Sequence, residues 1–325
     1  MTMERRLIIN CDDFGQSKAM NEAIRHLLEE NKVSSATIMT VAPGFEEAAS
    51  WAARRRQPNV GLHLTLTSEF EALRWKSLTG HSSLHDASGH QYRTVQEFER
   101  GAETGAVLKE LEAQYRLAKK AGIRISHVDN HMGSLYGMET GRSLIPQMLW
   151  KTSRWRLPAR LFRYIHPEDP LLSTLPNIER PVALASSLAD TFGVPIPDYL
   201  LSHPFPVVEG ETYESFKQSL IDKLYRLPEG VSETYVHPGA EDEWMLANIP
   251  NWEKRVWEYR LLFDDDFAYG LRDAKVILTD YRYVEEHLKR PRVRSAVKLI
   301  KAMAKKRKPM LKQALPRHRQ GLFFG

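Results

Sequence analysis

The stretch Leu7-Ile8-Ile9-Asn10-Cys11-Asp12-Asp13-Phe14-Gly15 is an aliphatic run that closes on two adjacent carboxylates and a glycine. An apolar run this short, bounded by a turn signal, reads as a buried strand. Carboxylates at its end place chemistry where a strand gives way to a loop. Three further stretches repeat the arrangement: Gly61-Leu62-His63-Leu64-Thr65-Leu66, His127-Val128-Asp129-Asn130-His131 and Tyr235-Val236-His237-Pro238-Gly239. Four strands thus end in carboxylates or imidazoles, the layout of a metal-dependent hydrolase on a β/α scaffold.

Working outward, strand-like and helix-like runs alternate. Strands are expected at 6–11, 36–41, 59–66, 123–129, 195–202, 233–236 and 274–279, and helices at 17–30, 44–55, 95–121, 142–151, 213–227 and 252–263. Met20, Ile24, Leu27 and Leu28 give the first helix its apolar face, with Ser17 as its cap. Residues 67–94 are polar and scattered with Gly, Ser and His, an excursion long enough to shape a cleft. Five prolines between 153 and 181 predict irregular structure there. Seven or eight strands alternating with helices predict a parallel sheet closed into a TIM-barrel-like α/β fold, a (β/α) barrel with long inserted loops.

Of 325 residues, 42% are hydrophobic and 27% charged, a globular composition, and no apolar run nears the ~20 residues of a membrane span. The formal charge of +5 conceals an asymmetry. Residues 289–325 hold 13 Lys and Arg and no Asp or Glu, which leaves 33 basic against 41 acidic side chains in 1–288. Two parts are therefore expected: a hydrolase domain over 1–288 and a basic tail over 289–325, helical and then disordered. Cys11 is the sole cysteine, so no internal disulfide forms, which fits a reducing compartment. With no signal-like segment before the first strand, the expected location is the cytoplasm, with peripheral contact at the inner membrane face through the tail as an option.

Asp12 and Asp13 repel each other unless a cation binds one of them, and the other is then free to act as a general base. The plainer alternative is a turn or cap ahead of the first helix. His63, inside an apolar strand, is a natural ligand for a borderline metal or a core histidine. His127 and His131 would share a metal on a helix, but on a strand they lie about 13 Å apart. The flanking residues favour a strand, so His131 is the expected ligand. His127 and Asp129 become outer or substrate-facing groups, with Asp129 placed to orient an imidazole. His237, beside a sharp turn, suits proton delivery to a leaving group. Phe70, Trp75 and Trp244 are candidates for stacking on a sugar.

On these motifs, with Asn21, Val33-Ser-Ser-Ala-Thr37 and Thr279-Asp-Tyr-Arg282, the chain resembles the YdjC-like (ChbG/HpnK) carbohydrate deacetylases over residues ~5–285. The resemblance implies a TIM-barrel-like fold and hydrolysis of an acetamido group on an N-acetylated sugar or glycolipid, with a divalent cation (Mg²⁺ or Zn²⁺). It places the metal on Asp13, His63 and His131, the base on Asp12 and a late catalytic histidine on His237. The chain departs from the family at Met132-Gly133-Ser134-Leu135, where many members are rich in histidine, so the pocket beside the third ligand differs.

Two other readings compete. One is a hydrolase of another amide or a phosphoester on the same scaffold, which needs basic residues near the metal. The other is a non-enzymatic protein that binds anionic surfaces through its tail. The tail lacks interleaved aromatics, so no specific nucleic acid is expected. Charge alone leaves a homodimer open.

Overall fold

The computed structural model describes residues 4–55, 59–166, 169–175 and 177–288. Within them the strands are β1 Arg5–Phe14, β2 Ser35–Ile38, β3 Val60–Leu64, β4 Ile125–Asn130, β5 Tyr164–Ile165, β6 Tyr199–Leu201, β7 Gly230–Val236 and β8 Val276–Leu278. The α-helices are α1 Lys18–Glu29, α2 Phe45–Ala53, α3 Val95–Gly101, α4 Thr104–Lys120, α5 Ile145–Trp155, α6 Glu179–Phe192, α7 Tyr213–Tyr225, α8 Glu243–Asn248, α9 Trp252–Leu261, α10 Asp265–Asp273 and α11 Tyr281–His287. The basic tail expected at 289–325 lies outside the described residues. No helix among those described is long and apolar enough to cross a membrane.

All strand pairs are parallel, in the order β4-β3-β2-β1-β7-β6-β5, with β8 on β1. Backbone bonds carry the circuit onward from β4. Val128 donates to the Pro158 carbonyl, Arg160 to the Val128 carbonyl and Ala159 to the Pro195 carbonyl, at 2.8–3.0 Å. The segment just before β5 thus links β4 to the chain entering β6, which gives the barrel-like fold that the alternation predicts.

The pleat of β1 sorts its side chains. Leu7, Ile9 and Cys11 join Met20, Ile24 and Leu27 of α1 in the main core between sheet and helices. Ile8 points the other way and packs with Val231, Tyr281 and Val284. Tyr281 and Val284 belong to α11, so this last helix contributes to a small interior cluster. Asn10 and Asp12 share the side of Ile8 and bond to Thr37 and Arg160 there.

Two expectations need correction. The single helix expected at 95–121 is two, because Ala102 and Glu103 are extended between α3 and α4. Tyr92 packs over Gly101 so closely that a Cβ there would meet its hydroxyl at 2.2 Å. Among the described residues, 156–178 hold only the two-residue β5 and a 3₁₀ turn at Leu172–Thr174, as the prolines suggest, but the expected helices omit α6, which starts at Glu179 with Pro181 in its first turn. Proline is tolerated in a first turn because that N–H has no helical acceptor to lose.

Candidate metal centre and active site

Asp12 and Asp13 are adjacent on one strand, so a regular pleat would send them to opposite faces. The strand does not run straight. Its register with β2 shifts between Cys11 and Phe14, and Asp13 takes a left-handed φ of 64°. Gly15 follows at φ 96°, and its N–H donates to Asn21 Oδ1 at 2.8 Å. A bulge of this kind re-aims a side chain. Here Asp13 turns toward His63 and His131, and Cys11 stays behind in the core.

Asp13 Oδ1, His63 Nε2 and His131 Nδ1 form a triangle. The two nitrogens lie 3.3 Å apart, and the oxygen lies 3.3 Å from His131 and 3.6 Å from His63. All three side chains are buried, and Asp13 Oδ1 has no hydrogen-bond partner. Zinc bonds of about 2.0–2.2 Å at tetrahedral angles put neighbouring donors roughly 3.3–3.6 Å apart. The donor set, the spacing and the orphaned oxygen all fit a divalent cation.

Both imidazoles are oriented from behind. His63 Nδ1 pairs with Asp129 Oδ1 at 2.7 Å, and His131 Nε2 with Glu69 Oε2 at 2.8 Å. A carboxylate on the far nitrogen fixes the tautomer and raises the basicity of a ligand histidine. Burial disfavours charge on His131, but Glu69 and Asp13 outweigh it and push its pKa up to about 10. Burial likewise opposes charge on Asp13, yet His131, Arg255 and His237 hold its carboxyl well below the usual range.

Asp12 is held differently. Arg160 donates from Nη1 to Oδ2 at 2.6 Å and from Nη2 to Oδ1 at 2.7 Å, and Asn10 Nδ2 donates to Oδ1 at 2.8 Å. Three of its four acceptor positions are filled, and the fourth is on Oδ2. The same guanidinium reaches Asp129 and Glu233, each at 3.0 Å. Asp12, His63 and Asp129 also come within ligand distance of one another. Their atoms are already claimed by Arg160 and by the His63–Asp129 pair, so the Asp13 triangle is the better cation site.

His237 follows β7. Its ring is half-buried between Phe205 and Tyr235, and its Nδ1 is enclosed without a partner. Burial holds its pKa below the ordinary value, although Asp13, Glu258 and Asp12 pull the other way. His127 lies outside the triangle. It stacks on Tyr281 with ring centroids 3.7 Å apart, and its Nδ1 pairs with Ser126 Oγ at 2.9 Å. Phe70 and Trp75 are buried, with Trp75 edge-on to His131, whereas Trp244 on α8 is exposed.

Arg160, Arg255, Glu69 and Glu258 were not singled out from the sequence. Arg160 sits among prolines that hide its strand-like segment. Arg255 and Glu258 sit on a helix whose many charges read as solvent-facing, though both are fully buried. Glu69 does follow a strand that carries a ligand, and that position was the one available signal.

The YdjC-like protein family matches residues 6–273. The chain belongs to this family. Similar curated relatives include the carbohydrate deacetylases of Geobacillus stearothermophilus, 28% identical over 86% of this chain and 98% of that protein, and of Listeria monocytogenes serotype 4b, 33% identical over 85% and 99%. A solved structure, described as a candidate cellobiose-phosphate cleavage protein from Enterococcus faecalis V583, superimposes with a TM-score of 0.67 at 25% identity. It covers 86% of this YdjC-like chain and 98% of its own.

Proposed function

We propose that this YdjC-like chain is a metal-dependent carbohydrate deacetylase, which hydrolyses the acetamido group of an N-acetylated sugar or glycolipid to an amine and acetate. The observation that carries the reading is the buried triangle of Asp13, His63 and His131, with an orphaned carboxylate oxygen and a carboxylate behind each imidazole. Two imidazoles and one carboxylate at this spacing favour zinc over magnesium, which prefers an octahedral shell of oxygens. The chemistry a divalent ion supplies there is Lewis acidity toward the acyl oxygen and added acidity for water.

The chain's own groups do the rest. Asp12 takes the proton of the attacking water on the open position of Oδ2, while Arg160 and Asn10 keep the carboxylate from turning. His237 delivers a proton to the departing nitrogen as the carbon–nitrogen bond breaks. The proton His237 gives is one it takes up from solvent before the step, and the proton that Asp12 gains from water returns to solvent after it.

The phosphoester alternative needs a free cation beside the metal. Both arginines near the triangle are engaged, Arg160 by three carboxylates and Arg255 by Asp13, while Lys18 is exposed beside Glu22. The test is acetate release from a panel of N-acetylated sugars, free and lipid-linked. It uses metal-stripped protein with Zn²⁺, Mg²⁺ or nothing restored, and His131→Ala as control. Metal-dependent release lost in the variant is expected; no release from any sugar with tight metal binding intact overturns the deacetylase reading. Peripheral membrane contact through residues 289–325 is a separate proposal. It predicts weaker partition onto anionic vesicles when 293–325 are deleted.

A further inference from the structure

Helix α9 is rich in charged side chains, yet Lys254, Arg255 and Glu258 on it are fully buried. Arg255 and Glu258 are three apart and so share a face. That face meets the turn after β7 at three main-chain points. Glu258 Oε2 accepts the His237 N–H at 2.6 Å, Arg255 Nη1 donates to the His237 carbonyl at 3.3 Å, and the Gly239 N–H donates to the Arg255 carbonyl at 3.2 Å. Gly239 admits this approach, since a Cβ there would stand 2.7 Å from Met245 Sδ and 3.4 Å from Arg255 Cβ.

The two side chains also reach beyond the turn. Arg255 donates from Nη1 and Nη2 to Asp13 Oδ2 at 3.3 and 3.2 Å, which leaves Oδ1 to the histidines. Glu258 Oε1 pairs with His203 Nε2 at 2.6 Å, which anchors the carboxylate to the end of β6. The His237 peptide is therefore gripped at both its N–H and its carbonyl, while its imidazole makes no hydrogen bond through Nδ1. One guanidinium ties that peptide to Asp13.

We propose that Glu258 and Arg255 are positioning residues that set His237, the proton donor, at a fixed distance from the metal ligand Asp13. The inference rests on the deacetylase reading. Neither residue transfers a proton itself. Glu258 fixes where His237 stands, and Arg255 makes that place a function of where Asp13 stands. A group whose only task is to protonate a leaving amine matters little when the leaving group needs no proton. Misplacing it therefore harms an acetamide and spares an activated ester.

The experiment compares Glu258→Ala and Glu258→Gln with the wild type, all metal-loaded, on an N-acetylated sugar and on an aryl acetate. Glu258→Ala is expected to lower kcat for the acetamide by roughly 10- to 100-fold with KM little changed, the scale of a reacting group displaced by about 1 Å. Aryl acetate turnover should change less than about threefold, because the phenolate departs without a proton. Glu258→Gln can keep its carbonyl on the His237 N–H and its amide on His203, so it is expected to restore most of the acetamide rate. The Zn²⁺ Kd, read by chelator competition, should stay within about threefold in both variants, since Glu258 touches no ligand. If Glu258→Ala is too unstable to purify, Glu258→Asp should show the same split at smaller size. Equal losses on both substrates, or no loss on either, would overturn the positioning role while leaving the deacetylase reading intact. A wild type that releases no acetate from any sugar overturns that reading and this proposal with it.

Discussion

His63 and His131 face each other across 3.3 Å, Nε2 to Nδ1, and each is backed on its other nitrogen by a carboxylate from a different segment. Two imidazoles so close, each with its remaining nitrogen committed, are arranged for a shared third party. Removal of a backing carboxylate should therefore weaken that third party's hold without removing a ligand. Glu69→Ala is expected to raise the Zn²⁺ Kd by about 10- to 100-fold, with Glu69→Gln between it and the wild type. Chelator competition measures this directly. An unchanged Kd in Glu69→Ala would mean that His131 needs no help to present Nδ1.

Much of this arrangement could be read from residues alone, and the remainder fails for physical reasons. Strand-end polar residues stand out against apolar runs, so Asp12, Asp13, His63, His131 and His237 are visible as a set. The distance estimate along an extended chain separates His127 from His131, and β4 is indeed a strand. What a sequence pattern cannot carry is the bulge at Asp13, because it is a backbone event between residues of ordinary type. Nor does it carry the partner of a charge. Arg255 and Glu258 look like solvated helix residues until the fold supplies Asp13, His203 and the His237 peptide. Pro158 reads as a breaker, yet it opens the segment that delivers Arg160 to the site.

Gly61 shows how tightly the inner layer is built. A Cβ there would lie 2.5 Å from His127 Cε1, 2.6 Å from its Nδ1 and 2.8 Å from Thr37 Cγ2. Gly61→Ala is expected to destabilise the fold by about 1–3 kcal/mol, as overpacking does. The measure is a lower denaturant midpoint at unchanged m. Thr37 donates to Asp129 at 2.8 Å, so a displaced Thr37 should also loosen the support of His63 and weaken metal binding.

His127 sets a pH limit. Burial drives its pKa down to about 3, against the pull of Asp129, while in the unfolded chain it titrates near its ordinary value of about 6.5. Between those values the unfolded chain binds a proton that the folded chain refuses. The stability is thus fully present above about 6.5 and is lost as pH falls toward 3. One proton gives a slope of at most about 1.4 kcal/mol per pH unit. His127→Asn, which cannot titrate, should show a flatter fall in denaturation free energy between pH 6.5 and 4.5, even if it starts from a lower value. An identical slope in both proteins would assign the acid sensitivity to other groups.

Arg160 bonds Asp12, Asp129 and Glu233 at once, and its guanidinium also lies 4.9 Å from the Tyr235 ring centroid. Burial drives the Glu233 pKa up to about 7 even with Arg160 and Tyr281 opposing it, which shows how little compensation the pocket has to spare. A lysine is a point charge on a flexible stem and cannot bond three carboxylates from one plane. Arg160→Lys should therefore leave buried carboxylates uncompensated and lower stability by about 3–5 kcal/mol. Asp12, freed from its two-pronged grip, no longer holds one fixed acceptor position, so kcat for acetate release should fall by roughly 100-fold. Asp129 keeps Thr37 and His63 as partners, so the Zn²⁺ Kd should change far less than kcat. Steady-state kinetics beside chelator competition separate the two effects. A kcat close to wild type would show that Asp12 is held in place without Arg160, whereas parallel loss of metal binding and kcat would place the arginine's role at the triangle instead.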